Sequence, residues 1–232
     1  MLNRLARYAA VLGVVRRYRP ESLIEIGSGS QGLGEFFPGH FVGVDVAFEG
    51  RPCRTMRAVR ASGTALPFAT GVFDLGVCLD VLEHVDPSLR SDVISEALRV
   101  IRRGLIIGFP SGPLARDADS ELSEWLGRKR VPLPQWLNEH LQYAYPDPTV
   151  VSSTASDGAS CVSFGNENVR IHSVMMKWEM HPRLWVRGWS LVLRYGLRPL
   201  AALLSRLTNF PPYYRQIVVV SKRSNHAVSS PP

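Results

Sequence analysis

The chain has 232 residues, of which 45% are hydrophobic and 20% charged, and its formal net charge is +7. A chain of this length and composition can bury one sizeable core, which excludes a largely disordered protein and predicts a single domain. The positive charge is almost wholly arginine, a bias that genomic base composition alone can produce, so we expect no nucleic-acid partner, although anionic surfaces remain favoured.

Three cysteines, Cys53, Cys78 and Cys161, are odd in number and lack the spacing of metal ligands. They predict reduced thiols, a cytoplasmic protein and no metal site. No uncharged run of 18 residues occurs, so no transmembrane helix is expected. The start of the chain is too short and too interrupted by arginine for a signal peptide, and residues 2–18 instead have the spacing of an amphipathic helix.

A glycine-rich loop between two apolar runs is the centre of the chain. Residues 23–26 read LIEI and predict a buried parallel strand, and GSGSQG follows before a helix-compatible stretch. Glycines allow a tight turn and let a ligand approach the backbone. A second strand, 41–44, ends in Asp45, whose carboxylate can accept both hydroxyls of a ribose. The pattern predicts an adenine-nucleoside cofactor on an open α/β sheet. The predicted loop contacts are Gly27, Ser28, Gly29 and Gly32.

Glu25 and three downstream motifs narrow the choice of cofactor. Glu25 lies two residues before the first glycine, where its carboxylate can meet a cationic amino group but would repel a dinucleotide's pyrophosphate. Downstream the sequence reads ALPF at 65–68, GVFDL at 71–75 and DVLEHV at 80–85. With these ordered motifs the chain resembles the class I S-adenosylmethionine-dependent methyltransferases, in their type 11-like branch. The resemblance covers residues 20–110 and implies S-adenosylmethionine as the cofactor.

The resemblance also implies a Rossmann-like α/β fold. The expected sheet has seven mostly parallel strands with an antiparallel last strand, and an α-helical insertion lies between strands six and seven. The expected segments of this single domain, 1–232, are an N-terminal helix (1–20), a cofactor-binding core (21–110), a lid (111–158), a helical insertion (165–212) and the last strand (213–223). Within them we expect the first crossover helix through 34–37, strand five at 104–110 and strand six at 160–164.

Two further stretches are expected to contact the cofactor. Ser62, Gly63 and Thr64 occupy the place where the resembled family usually carries glycine-aspartate, whose acid takes the adenine amino group. The Ser62 side chain, or the backbone after it, could hydrogen-bond adenine instead. Strand four, 73–79, ends at Leu79 and Asp80, at the edge of the sheet where ligands bind in open α/β folds.

The methyl acceptor is expected to lie beside the lid. The lid is similar to that of bacterial methyltransferases associated with polysaccharide or glycolipid assembly, and its Trp136, Glu139 and His140 suit a sugar or another polar small molecule. Packing of Trp136 onto the sheet is an equally open interpretation. A base is needed only for a hydroxyl acceptor, and the candidates, in no order, are His84, His140 and Asp80. For His84 the alternative is a hydrogen bond that organises its loop.

Residues 183–207 combine two tryptophans with a basic stripe. Arg183, Arg187, Arg194 and Arg198 fall on one side of a helix, which predicts peripheral contact with an anionic membrane, while packing against the sheet is the alternative. The predicted function is therefore methyl transfer to an unidentified acceptor, such as a sugar or lipid-linked hydroxyl at the membrane surface. The alternative is a non-catalytic cofactor-binding module that docks a membrane-associated biosynthetic complex.

Overall fold

A seven-stranded β-sheet is the centre of the structure, a computed structural model that describes residues 2–155, 158–183, 185, 186, 188 and 207–222. In chain order the strands are β1 (Leu23–Ile26), β2 (Phe41–Asp45), β3 (Met56–Arg60), β4 (Phe73–Leu79), β5 (Ile101–Pro110), β6 (Ser160–Asn168) and β7 (Tyr213–Ser221). Across the sheet the order is β3-β2-β1-β4-β5-β7-β6. The first five strands pair in parallel, and β7 lies antiparallel between β5 and β6. The predicted fold class is confirmed.

Helices cover both faces of the sheet, which explains why its central strands are mainly apolar, with Glu25 of β1 and Asp74 of β4 as buried exceptions. The helices are α1 (Leu2–Tyr18), α2 (Arg90–Val100), α3 (Pro113–Arg128), α4 (Gln135–Gln142), α5 (Pro148–Thr154) and α6 (Val169–Glu179). All four residues of β1 and all seven of β4 are buried. A parallel strand buried on both faces needs apolar side chains on both, so it reads as a continuous run rather than an alternation.

The two faces of the sheet carry separate apolar clusters. On one face α2 packs Val93 and Ile94 against Ile24 of β1 and its neighbours. On the other face α1 packs Val11 and Val15 against the opposite side of the sheet. The second contact holds α1 next to the glycine loop, so that residues of this helix reach the site described below.

The first crossover helix is absent, which corrects the prediction for residues 34–37. Only a four-residue 3-10 helix, Gly32–Glu35, follows the glycine loop. Gly32 has a φ of +44°, outside the right-handed helical region, and Gly34 adds a second residue of poor helix propensity. Pro38 follows soon after and does not continue a helix. The loop amides therefore act without a long helix dipole behind them.

Two strands are longer than predicted. β5 begins at Ile101, which pairs with Phe73 of β4, rather than at Gly104. β6 continues past Phe164 to Asn168, which pairs with Tyr213 of β7. Both strands were predicted from their apolar runs alone. Each extends further because the neighbouring strand offers backbone hydrogen-bonding groups beyond the end of that run.

Three helices, α3, α4 and α5, occupy the segment between β5 and β6. After β6 the Asn168 side chain caps α6 by accepting the backbone N–H groups of Arg170 and Ile171. Most of the arginine-tryptophan segment predicted to meet a membrane, including Arg187, Arg194 and Arg198, lies outside the described residues. Among the helices that the structure describes, none is long and apolar enough to cross a bilayer.

Candidate active site

A cavity of about 1050 Å³ opens at the carboxyl ends of β1, β2 and β4. This is the edge of an open α/β sheet at which ligands bind. The walls come from α1, the glycine loop, the residues after β2, the stretch 61–64, the residues after β4 and the start of α4. Most of the residues predicted from the sequence to hold the cofactor therefore line one space.

The glycine loop lines the cavity, and two of its residues have backbone dihedrals in the left-handed region. Gly27 has a φ of +72° and Gly29 a φ of +53°. A Cβ built at Gly27 would lie 2.1 Å from a methyl carbon of Val81, so a side chain has no room there. A Cβ at Gly29 meets no atom within 4 Å, although Gly29 lines the cavity. Together with Ser28 these residues present backbone rather than side chains to a ligand.

Glu25 lies beneath the loop and is not among the residues that line the cavity, so its contact with the cofactor stays a prediction. Its carboxylate accepts hydrogen bonds from Leu33 N at 2.6 Å and from the Tyr8 hydroxyl at 2.8 Å. Burial raises the pKa of Glu25 to about 7, against the opposing effect of these hydrogen bonds. A Cβ at Gly32 would lie 2.1 Å from Glu25 Oε2, and Gly32 also lies off the cavity. Both residues position the loop.

Asp45 lines the cavity at the end of β2, as predicted. Its Oδ2 accepts the backbone N–H of Gly29 at 2.8 Å, and its Oδ1 accepts that of Ala47 at 3.2 Å. A carboxylate has about four acceptor positions, so roughly two remain for the hydroxyls of a ribose. The same hydrogen bonds fix the direction of the carboxylate before any ligand arrives.

The remaining predicted cofactor contacts also line the cavity. Ser62 Oγ and Thr64 Oγ1 lie 2.8 Å apart, and both residues line the cavity together with Gly63. Leu79 also lines the cavity and is buried. Hydroxyl groups at this position can donate hydrogen bonds to the edge of an adenine ring and accept hydrogen bonds from it. They can therefore take the place of the acidic residue that the resembled family usually carries here.

Asp80 lines the cavity but is held by two arginines. Arg215 donates from Nε to Oδ1 at 2.7 Å and from Nη2 to Oδ2 at 2.9 Å, and Arg7 of α1 donates to the same Oδ2. Burial alone would raise the pKa of Asp80, but the charges of both guanidinium groups hold it well below its usual value. A carboxylate stabilised in this way is a poor proton acceptor, so its geometry favours an anchoring role over the predicted role of base.

The two candidate histidines meet through their rings, 4.7 Å apart between centroids. His84 lines the cavity, and its Nδ1 lies 2.7 Å from a carboxylate oxygen of Glu139. His140 is buried behind it, and its Nδ1 lies 2.7 Å from Asp119 Oδ2. Burial lowers the pKa of His84, as does the neighbouring His140, so its imidazole is neutral near neutral pH.

Sequence reasoning missed three residues that organise this site: Arg7, Arg215 and Asp119. Two of them had a weak signal. Arg215 interrupts an apolar strand, and Asp119 falls four residues after Ala115, on the apolar stripe of α3. A charged residue in such a position is buried only with a partner. Arg7 and Arg215 both pair with Asp80, which lies 73 and 135 residues away from them in the chain. The local sequence pattern therefore does not predict this partner.

Comparisons with known proteins agree with the fold. Residues 24–108 match a family model described as a methyltransferase domain. Among similar solved structures, the methyltransferase domain of bacterial CtHen1 has 12% identity and a TM-score of 0.53, covering 95% of this chain and 100% of that one. Magnesium protoporphyrin IX methyltransferase from Synechocystis PCC 6803, with bound SAH, has 14% identity and a TM-score of 0.51, covering 96% and 83%. The plantazolicin methyltransferase BamL has 10% identity and a TM-score of 0.58, covering 96% and 85%. A comparison with curated proteins gives no match.

At these identities the solved structures show the fold alone, and it is the class I methyltransferase fold. The matched domain spans the strands that form the cavity, and the cofactor is S-adenosylmethionine. The described residues fit that cofactor, because Asp45 keeps acceptor positions free at the cavity wall and Gly29 leaves open space beside it. When bound, the cofactor supplies a methyl group already activated on a sulfonium sulfur.

Proposed function

We propose that this enzyme, an S-adenosylmethionine-dependent methyltransferase, methylates a hydroxyl group of a polar acceptor such as a sugar or a lipid-linked saccharide. One observation carries the proposal. Part of the cavity wall consists of an indole and ionisable or amide side chains, three of which lie on α4, outside the cofactor motifs and outside the matched domain. These residues are His84, Gln135, Trp136 and Glu139.

The size of the cavity supports a second ligand beside the cofactor. A single drug-sized ligand occupies a site of roughly 300–1,000 Å³. The volume of about 1050 Å³ lies just above that range. The cofactor's ribose and adenine are expected at Asp45 and Ser62. That placement leaves the side formed by α4 for the acceptor.

Side chains of α4 form a hydrogen-bonded row along this acceptor side. Gln135 Nε2 donates to one oxygen of Glu139 at 2.8 Å, and the other oxygen meets His84 Nδ1 at 2.7 Å. Because Nδ1 is engaged, Nε2 is the nitrogen of His84 that remains for the acceptor. Trp136 packs edge-on against His140, with ring centroids 5.1 Å apart, beside the same row. An aromatic ring next to polar groups matches the alternating apolar and hydroxyl surface of a sugar.

The alternative, a non-catalytic cofactor-binding module, is not favoured. The matched domain is a methyltransferase domain, and the acceptor side carries titratable groups that a cofactor-docking module does not require. Methyl transfer needs mainly alignment of donor and acceptor in a water-excluded site. A hydroxyl acceptor in addition needs to lose its proton, and His84 and Glu139 are titratable groups that line the cavity beside the proposed acceptor.

Replacing Trp136 by alanine is expected to lower kcat/KM for the acceptor about tenfold, because the lost ring contributes about 1–1.5 kcal/mol of contact with the acceptor. The affinity for S-adenosylhomocysteine should stay within a few-fold. The measurement uses S-adenosylmethionine labelled in its methyl group and extracts of the producing cells, split into a lipid fraction and a water-soluble saccharide fraction. Labelled product is then treated with mild alkali, because methyl esters are hydrolysed and methyl ethers persist.

The matched control is Trp178→Ala, since Trp178 is 48% exposed on α6 and does not line the cavity. This variant should keep wild-type turnover. Alkali-labile product would indicate a carboxylate acceptor and contradict the proposal. A Trp136 variant that loses cofactor affinity but keeps acceptor turnover would move the indole to the donor side.

We also propose that the segment 183–207 contacts an anionic membrane surface, where a lipid-linked acceptor would be presented. The described part of this segment supports it, because Trp185 is 64% exposed. Changing Arg194 and Arg198 together to glutamine is expected to weaken binding to vesicles of phosphatidylserine and phosphatidylcholine by about 30-fold, at about 1 kcal/mol per arginine. Cosedimentation measures it, with circular dichroism as the control for folding. A folded wild-type protein that ignores these vesicles at low salt would contradict the proposal.

A further inference from the structure

A cluster of three potential metal ligands lies behind the acceptor side of the cavity. One ligand atom each from Glu83, His84 and His140 can be chosen so that all three lie within 4.8 Å of one another. Within the cluster, His140 Nε2 and Glu83 Oε1 are 3.7 Å apart. At metal–ligand bonds of about 2.1 Å, neighbouring ligand atoms lie about 3–3.5 Å apart, so side-chain shifts of about 1 Å would close the set around one ion.

Both histidines are oriented as metal ligands are. Glu139 meets Nδ1 of His84 and Asp119 meets Nδ1 of His140, each at 2.7 Å, so the Nε2 atoms are the ones left for a ligand. Asp119 is itself fixed, because Tyr214 donates to both of its oxygens at 3.0–3.1 Å. A carboxylate behind the second ring nitrogen is the usual support of a metal-bound histidine.

Glu83 supplies a second and independent observation. The residue is 0% exposed, and neither carboxylate oxygen has a hydrogen-bond partner. A buried carboxylate without partners is costly, and buried charges in proteins are normally paired or bound to a metal. Neither neighbouring arginine reaches it, since Arg7 and Arg215 are engaged by Asp80. A cation between Glu83 and the two imidazoles would give this carboxylate the partner that it lacks.

We propose that Glu83, His84 and His140 hold one divalent transition-metal ion, and that this ion contacts the acceptor hydroxyl. Two imidazoles and one carboxylate suit Zn²⁺, Mn²⁺, Co²⁺ or Fe²⁺ better than Ca²⁺ or Mg²⁺. Three protein ligands leave at least one position open, as in catalytic sites, and His84 places that position towards the cavity. This site replaces the expectation of no metal, which considered only the cysteines.

The second half of the proposal rests on the proposed hydroxyl acceptor. The ion lowers the pKa of the hydroxyl that contacts it, and the proton passes to water. The oxygen then forms a bond to the methyl carbon of S-adenosylmethionine while the carbon–sulfur bond breaks. Its electron pair remains on sulfur, which gives the methyl ether and S-adenosylhomocysteine. No other reactant is required.

The test measures metal binding by the full-length protein directly. After treatment with a chelator, the protein is titrated with Zn²⁺ by calorimetry and with Co²⁺ by visible absorption. We expect one ion per chain. The substitutions Glu83→Gln and His84→Ala should each weaken binding by more than about 100-fold, and Glu139→Gln, which removes only the support of His84, by about 10- to 100-fold. His40→Ala is the control and should change nothing, because His40 is exposed and outside the cluster.

The outcomes separate this inference from the proposed function. A wild-type protein that binds S-adenosylhomocysteine but neither ion at one per chain overturns the metal site, even if the variants fail to fold. If chelation leaves the rate unchanged and the product is stable to alkali, the proposed role of the ion is overturned. The proposed hydroxyl acceptor is then retained. Stoichiometric metal binding together with alkali-labile product keeps the metal site and overturns the hydroxyl acceptor.

Discussion

Replacing Arg215 by methionine is expected to lower the free energy of unfolding by about 3–5 kcal/mol. Arg215 is 1% exposed, and its guanidinium donates to both oxygens of Asp80 and, at 3.0 Å, to Glu167 Oε2. Methionine fills a similar volume but leaves both carboxylates without this partner. Removing one member of a buried ion pair costs far more than the pair's net contribution, because the remaining charge stays desolvated.

Urea unfolding followed by circular dichroism measures the change, and at roughly 2–4 °C per kcal/mol the midpoint of thermal unfolding should fall by roughly 10 °C. The matched control is Arg128→Met. Arg128 and Glu124 form an ion pair on α3 with side chains 66% and 72% exposed, so its loss should cost well under about 1 kcal/mol. Equal losses in the two variants would mean that Asp80 and Glu167 find other partners in the folded protein.

The difference between the wild type and the Arg215 variant should depend on pH in a defined direction. Burial would raise the pKa values of Asp80 and Glu167, but their cationic neighbours, including Arg215, hold both below their usual values. A depressed pKa contributes stability that is present above the unfolded values, about 4, and is lost as the pH falls below them. The difference should therefore be full at pH 6 and shrink towards pH 3. A difference that grows on acidification would contradict this account.

Replacing Asp45 by alanine is expected to weaken S-adenosylhomocysteine binding by about 10- to 150-fold, which corresponds to about 1.5–3 kcal/mol for a charge-assisted hydrogen bond. The carboxylate contributes twice. It offers the acceptor positions for the ribose hydroxyls, and it accepts the N–H of Gly29, so it also holds the glycine loop in place. Calorimetry with S-adenosylhomocysteine is the measurement.

Asp92→Ala is the control for the loss of a carboxylate, because Asp92 is exposed on α2 and does not line the cavity. Its affinity should equal that of the wild type.

Gly29→Val should weaken binding as well, for a different reason. Its side chain would project into open space at the cavity and would require a φ of +53°. Unchanged affinity in both Asp45→Ala and Gly29→Val would remove the cofactor from this end of β2.

Local pattern and spacing in the sequence were enough for the framework of the cofactor site. Nearly continuous apolar runs predicted β1, β2 and β4, because a parallel strand covered on both faces has no solvent-exposed side. Asp45 directly follows such a run, and the carboxyl ends of parallel strands share one edge of the sheet. Its place in the cavity could therefore be predicted without knowing any long-range contact.

Tertiary structure decided which polar side chains face the ligand and which face the protein. Glu25 and Asp45 are both carboxylates beside the glycine loop, yet Glu25 turns under the loop to Tyr8 and Leu33 while Asp45 lines the cavity. Asp80 stands at the predicted strand end but is engaged by arginines from α1 and β7. These outcomes depend on hydrogen-bond and ion-pair partners from distant parts of the chain. A buried charged group is stable only where such partners compensate its desolvation, and spacing along the sequence does not encode where they lie.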